Sequence, residues 1–269
     1  MVDIKQIELE QAALAYDGDD QVLPANEVLK RYTADRPKGE KILSKIPTLD
    51  KTIGGFFPGQ LVVVSGVTGS GKTSLCQTFT KNMSEQLTSP LWFTYEVPVD
   101  DFLSVFHNDY LKHIYMPLQL KDNSLKWIED RILESRTKYS TTVCFIDHIH
   151  FLVSMNPKQN MSFTIGETVR GLKKIALKYN MIVFLIAHMM KTRPEDEPSL
   201  GMIRDSSFIE QESDTVLYTW RKPKDQWVTM LKVAKNRKRG LVDIKIPLTM
   251  KDRQFYEITE DSGYENGTY

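Results

Sequence analysis

Cysteine, net charge and long apolar runs are all scarce in this chain, and each scarcity removes a class of protein. Two cysteines, Cys76 and Cys144, stand far apart in 269 residues. They read as small buried hydrophobes in a reducing compartment, not as a disulfide framework. Thirty-five basic residues balance 35 acidic ones, so no global field announces a polyanionic partner. No uninterrupted apolar segment approaches the roughly 20 residues that cross a bilayer, and the N-terminus has no signal-peptide pattern. The expectation is an intracellular, cytoplasmic protein with no membrane partner. No internal repeat or low-complexity segment is present, so no repeat architecture is indicated. What remains, at 41% hydrophobic and 26% charged residues, is an ordinary globular chain. It is long enough for one large α/β domain with or without an appendage.

Against that background one stretch stands out, Gly66-Val67-Thr68-Gly69-Ser70-Gly71-Lys72-Thr73. It fits G-x-x-x-x-G-K-[ST] in full, between an apolar run, Leu61 to Val64, and a helix-like Thr73 to Leu87. Strand, glycine loop and helix in that order make a phosphate cradle, with backbone N–H groups and the helix N-terminus facing the anion. Gly66, Thr68, Gly69, Ser70, Gly71, Lys72, Thr73 and Ser74 are the expected ATP contacts. Lys72 would reach the β- and γ-phosphates, and Thr73 would hold Mg²⁺. A glycine-rich turn that merely joins strand to helix is the bland alternative.

Residues 1–41 are polar, with helical candidates at Ile7 to Ala15 and Ala25 to Tyr32, and too few to bury a core alone. They read as an arm with a linker helix. From 42 to 258 the pattern is that of a nucleotide-binding core. Apolar strands Leu61 to Ser65, Leu91 to Glu96, Thr142 to Ile146 and Met181 to Ala187 alternate with helices at Asp100 to Tyr110, Ser124 to Tyr139 and Phe163 to Tyr179. Near-continuous apolar strands between helices predict a mainly parallel sheet covered on both faces. Short runs at Thr215 to Trp220, Trp227 to Ala234, Leu241 to Leu248 and Gln254 to Ile258 predict an antiparallel C-terminal extension. Residues 259–269 read as a flexible acidic tail.

In open parallel sheets ligands sit beyond the carboxyl ends of the strands, where Glu96, Asp147 and His188 fall. Asp147 follows four apolar residues, the layout of a Walker B carboxylate that supports Mg²⁺. Glu96 is placed to orient or deprotonate an attacking water, and His188 to sense the γ-phosphate. His148 and His150 flank Ile149 as a conceivable metal pair, but no third ligand is evident. A basic stretch holds Arg221, Lys222, Lys224, Lys232, Lys235, Arg237, Lys238 and Arg239 against one acid, Asp225. Its tip, Lys235 to Gly240, lies between two strand-like runs and would project away from its own domain. Arginine there suits stabilisation of a transferring phosphoryl group in trans.

The ordered series resembles the RecA-like P-loop NTPase motor of hexameric replicative helicases, the DnaB, Twinkle and phage primase-helicase group. It comprises Gly66 to Thr73, Tyr95-Glu96-Val97-Pro98, Phe145-Ile146-Asp147-His148, Ile186 to Lys191, Arg204 to Asp214 and Lys235-Asn236-Arg237. The block Arg204 to Asp214 is the most telling, although the family's small glycine is absent at Asp205-Ser206-Ser207. The resemblance implies Glu96 as the catalytic carboxylate, Asp147 as Walker B and His188 as sensor. It implies Lys235 and Arg237, with Arg239 as a substitute, acting on a neighbour's nucleotide in a ring, a hexamer. It further implies single-stranded DNA bound by Lys158, Lys191, Arg193, Arg204 and Ser206 through salt-sensitive phosphate contacts, and a primase or polymerase partner. The expected activity is ATP-driven translocation on single-stranded DNA with duplex unwinding. Two other readings share the phosphate loop: an ATP-gated, filament-forming DNA-binding ATPase without unwinding, and a metabolic kinase. The kinase predicts nothing like the Arg204 to Asp214 block.

Overall fold

The computed structural model describes residues 4–18, 20–35, 40–86, 88–153, 161–189, 197–203, 207–221, 228–240 and 243–259. The chain divides into two units, residues 1–39 and 40–269. The first holds two helices, α1 (Ile4–Leu14) and α2 (Ala25–Asp35). Leu9, Leu14 and Leu29 are all well exposed on them, as expected of helices too short to make a core of their own.

In the second unit the elements run α3 (Pro47–Ile53), β1 (Leu61–Gly66), α4 (Lys72–Ser84), β2 (Pro90–Thr94), α5 (Val99–Leu103), α6 (Asn108–Leu111), α7 (Leu125–Tyr139) and β3 (Val143–Asp147). A 3₁₀ turn at Ile149–Leu152 leads on to α8 (Met161–Lys178), β4 (Ile182–His188), α9 (Ser207–Glu212), β5 (Thr215–Trp220), β6 (Val228–Asn236), β7 (Ile244–Lys251) and β8 (Gln254–Glu257). One eight-stranded sheet takes the order β2-β3-β4-β1-β5-β6-β7-β8. The first five strands are parallel and the last three antiparallel. The mainly parallel α/β architecture expected from the sequence is thus present. One assignment changes, because Thr215 to Trp220 is not part of the antiparallel extension. It pairs in parallel with β1, Val62 opposite Thr215.

The continuous apolar runs are explained by two cores, one on each face of the sheet. Along β1, Leu61 and Val63 join one core while Val62 and Val64 join the other. Helices α7, α8 and α9 cover the first face with Ile128, Ile132, Ile165, Val169, Leu172 and Ile209. Helices α3, α4 and α5 cover the second with Leu49, Ile53, Leu75, Phe79 and Phe102. Strand alternation with period two sends successive side chains to opposite faces, so a strand covered on both sides is apolar nearly throughout, with hydrogen-bonded exceptions such as Ser65 and Thr219.

Helix limits follow local chemistry. Ser124 caps α7 by accepting the Trp127 N–H, and Pro47 opens α3, which ends on a left-handed Gly54. The single helix expected over Asp100 to Tyr110 is two short ones. Phe106 N–H reaches Leu103 O in an i to i−3 turn, and His107 starts a new helix by accepting the Asp109 N–H. Phe102 and Phe106 both enter the core, ring centroids 5.5 Å apart. Among the described residues no helix is long and apolar enough to cross a membrane. Residues 260–269, all but the first of the expected tail, lie outside the described residues.

Candidate functional site

The phosphate-loop residues link the end of β1 to the start of α4, and two of their glycines are there for close approach. A Cβ on Gly66 would stand 2.2 Å from Thr219 O, and one on Gly71, at φ 91°, 2.9 Å from the Phe255 ring. Ser70 Oγ and Thr219 Oγ1, 2.8 Å apart, tie the loop to β5. No side chain caps the N-terminus of α4, which leaves the positive end of a 13-residue helix turned to the loop. Lys72 Nζ donates to Gly66 O and Val67 O, both at 3.1 Å. Burial pulls its pKa down, and the charges of Glu96 and Asp147 oppose that.

Parallel pairing brings the next groups to the same edge. Gly66 lies opposite His188, the last residue of β4, and Asp147 ends β3 beside it. Thr73 Oγ1 donates to Asp147 Oδ2 at 2.8 Å, while Asp147 Oδ1 is buried with no hydrogen-bond partner among the described residues. Burial pushes the Asp147 carboxyl up to about 6, the Thr73 bond opposing and the Glu96 charge adding. A hydroxyl and a carboxylate with one oxygen to spare form a hard donor set that fits Mg²⁺.

Glu96 follows the end of β2, with 42% of its side chain exposed. Its Oε2 lies 3.8 Å from His148 Nε2 and 3.7 Å from His188 Nε2. The two histidine rings meet edge to face, centroids 4.3 Å apart. His148 therefore finds its polar neighbours in Glu96 and His188, alongside the conceived partner His150 at 5.3 Å. Burial first, then the charges of His188, His150 and Lys72, bring the His148 pKa down to about 3, so the ring is neutral.

A cavity of about 310 Å³ opens over these groups, lined by Thr68, Gly69, Gly71, Lys72, Thr73, Ser74, Glu96, His188, Arg221 and Met250. Arg221 is the lining cation that sequence reasoning missed. Read as one run with Lys235 to Arg239, it belonged to a distant tip. The signal was the parallel β1–β5 pairing, which carries the residue after Trp220 to the level of the phosphate loop. Arg221 Nε donates to Thr229 Oγ1 at 3.0 Å, which holds the side chain at the cavity.

The basic stretch is thus split. Strand β6 runs antiparallel from the loop edge to the opposite edge of the sheet, and its end, Asn236, pairs with Thr215 at the start of β5. Roughly 17 Å of strand separates the two edges, from five steps of about 3.3 Å along β1. Lys235 does not project from its domain as expected. Its Nζ donates to the carbonyls of Glu210, Gln211 and Ser213, because the C-terminal carbonyls of α9 present the negative end of that helix to it. Arg237 Nη2 donates to Gln211 O at 2.7 Å, and Nη1 lies 3.5 Å from Asp214 Oδ1. Its side chain is nevertheless 52% exposed. Lys238 sits over the Phe57 ring. Lys158, Lys191, Arg193, Arg204 and Ser206 all lie outside the described residues.

The described part of the Arg204 to Asp214 block is scaffold. Asp214 Oδ2 accepts from Leu61 N at 2.8 Å and from Lys173 Nζ at 2.6 Å. Glu212 pairs with Arg170 at 3.1 Å. The block therefore bolts α9 and the start of β1 to α8.

Comparison with known proteins supplies the family. A family model described as the DnaB-like helicase C-terminal domain matches residues 107–257, more than half of the chain. The chain belongs to that family. The remaining core, residues 42–108, matches a model described as KaiC. The replicative DNA helicase DnaB of Mycoplasma genitalium is 23% identical over 231 residues, 70% of this chain and 49% of that protein. That of Rickettsia felis is 28% identical over 101 residues, 36% of this chain and 20% of that protein. The chain thus spans only about a fifth to a half of these two relatives. Among solved structures, one of a DnaB-like replicative helicase and its interactions with primase superposes with a TM-score of 0.72 at 17% identity. It covers 94% of this chain and 71% of that one. A second solved structure, of an ATPase domain, gives 0.71 at 16% identity, covering 87% of this chain and 97% of that one. At these identities the superpositions establish the RecA-like fold, with the family model adding the helicase lineage.

Proposed function

We propose that the chain is an ATP-hydrolysing motor that works as a ring, a hexamer, translocates on single-stranded DNA and separates duplex DNA during replication. The observation that carries this reading is the division of the basic stretch between opposite edges of the sheet. Phosphate loop, carboxylates and Arg221 are collected at one edge, while Arg237, the half-exposed arginine of the tip, stands roughly 17 Å of strand away. It cannot reach its own nucleotide, and on leaving Gln211 O and Asp214 its half-exposed guanidinium would meet that of the next subunit.

In the proposed reaction the α4 N-terminus and Lys72 bind and orient the triphosphate. Thr73 and the spare oxygen of Asp147 would hold Mg²⁺, which supplies neutralisation of phosphate charge when bound. Glu96 takes the proton of the attacking water, or orients that water in line, and His188 hydrogen-bonds where the γ-phosphate leaves. Arg237 of the neighbour stabilises the charge that spreads over the transferring phosphoryl group. The DNA contacts are assigned to Lys158, Lys191, Arg193, Arg204 and Ser206, and a primase is a natural partner.

Mixed assemblies test the reading. Chains carrying Glu96→Ala and chains carrying Arg237→Ala should each be nearly inactive in DNA-stimulated ATP hydrolysis, and their mixture should regain activity, because some interfaces then hold both intact residues. No recovery on mixing would place the site within one chain and defeat the ring. Electron microscopy of the ATP-analogue complex on single-stranded DNA should show closed rings; open filaments without unwinding of a forked duplex would favour a filament-forming ATPase.

A further inference from the structure

Glu96, His148 and His188 invite a metal reading, since one carboxylate oxygen and two imidazole nitrogens lie within 4.8 Å of one another. The hydrogen bond at the back of the His148 ring argues against it. His148 Nδ1 accepts the backbone N–H of His150 at 3.2 Å, so Nδ1 keeps its lone pair and the ring carries its proton on Nε2. A protonated nitrogen has no lone pair for a cation, and a proton moved to Nδ1 would set two N–H groups against each other. Nε2–H is therefore a fixed donor. It is also the atom of the ring that faces Glu96 Oε2, at 3.8 Å.

We propose that His148 is a positioning residue whose Nε2–H holds the Glu96 carboxylate in the orientation from which it addresses the attacking water. The proposal rests on the reading of Glu96 as the catalytic carboxylate. The rigidity of the two partners is unequal. His148 is buried between the His188 ring, at 4.3 Å, and the Phe151 ring, at 4.8 Å. Glu96 is half-exposed on the turn after β2. The half-exposed carboxylate thus closes on the buried donor, over roughly 0.9 Å to reach ordinary hydrogen-bond length, a tightening expected when substrate assembles a site. A neutral donor also orients the carboxylate without forming the ion pair that would weaken it as a base. Protonating the ring would require a hydrogen on Nδ1, where the His150 N–H already points.

Steady-state ATP hydrolysis by the full chain with single-stranded DNA tests this, using His148→Phe, His148→Gln and Glu96→Gln. Phenylalanine keeps a ring between His188 and Phe151 but has no donor. Glutamine loses the ring and returns an N–H near the position of Nε2, and both variants forgo the Nδ1 contact. His148→Phe should lower kcat roughly 10- to 100-fold, the scale of one hydrogen bond to a charged group, with KM for ATP within about twofold. His148→Gln should be clearly more active than His148→Phe, although it packs less well. A glutamine variant no better than phenylalanine, an unchanged kcat in His148→Phe, or a loss carried by KM alone would overturn the proposal. A Glu96→Gln chain that still hydrolyses ATP would instead overturn the reading of Glu96 on which it rests.

Discussion

At the carboxyl edge of the parallel strands polar groups are held in place and left with capacity to spare; at the amino edge of the same strands they are used up. Asp147 keeps a buried oxygen without a hydrogen-bond partner among the described residues, and Glu96 stands half-exposed, beyond hydrogen-bond reach of His148 and His188. Opposite them, Asp214 is committed to Leu61 and Lys173, and Lys235 to three carbonyls. A buried polar group normally finds its partners within the fold. One that does not is either a fault or a place kept for a ligand, and its position beside a phosphate loop decides which. Arg237 is engaged as well, by Gln211 O and Asp214, but its side chain stays half-exposed, and that exposure is what supports the proposed second subunit.

The largest expected effect breaks the comparison where the proposed ring would bring the two edges together across an interface. Arg237→Ala should cut ATP hydrolysis about 10³-fold, the scale of an arginine supplied in trans, while binding of a fluorescent ATP analogue changes little. Lys235→Ala, by contrast, removes a cap from α9 and should act on stability more than on turnover. If the two substitutions cut turnover equally at unchanged thermal midpoint, Lys235 leaves its helix in the assembled ring and the present contrast between them fails.

Within one chain, Asp214→Ala probes the committed edge. It leaves Lys173, 14% exposed, without its carboxylate and the Leu61 N–H without its acceptor. Removing one member of a buried pair costs about 3–5 kcal/mol, or roughly 10 °C in the unfolding midpoint for a domain of this size. Nucleotide affinity of the folded fraction should stay within a few-fold. Lost affinity with an unchanged midpoint would move Asp214 from scaffold to site.

The architecture was legible in the sequence because a strand covered on both faces is mostly apolar, and Val62 to Val64, Val143 to Ile146 and Ile182 to Ala187 hold no charged or strongly polar residue. The phosphate loop and the strand-end residues Asp147 and His188 were legible for the same reason, since the first polar residue after such a run marks the edge of the sheet. What sequence order hid was direction. Arg221 and Arg237 look like one basic patch until β6 is known to carry the chain from one edge to the other. Neither could the pattern tell that Lys235 turns back onto α9, because the carbonyls it meets belong to a helix more than 20 residues earlier. The partners of His148 were hidden likewise, lying on two other strand ends.

The smallest expected effect sharpens what spare capacity costs. The Asp147 carboxyl, pushed up to about 6 mainly by burial, binds its proton more tightly in the folded chain than in the unfolded one, whose carboxyl titrates near 3.9. A raised carboxyl pKa stabilises the fold at low pH, and that contribution disappears as pH rises through about 6. Nucleotide-free wild type should therefore gain about 1.4 kcal/mol at pH 5 relative to pH 8 from this group. Asp147→Asn, which cannot titrate, should lack that gain. Paired urea unfolding curves at the two pH values measure the difference between the chains. A difference that does not change with pH would mean that Asp147 is already relieved by a partner, and that the oxygen read as reserved for Mg²⁺ is committed after all.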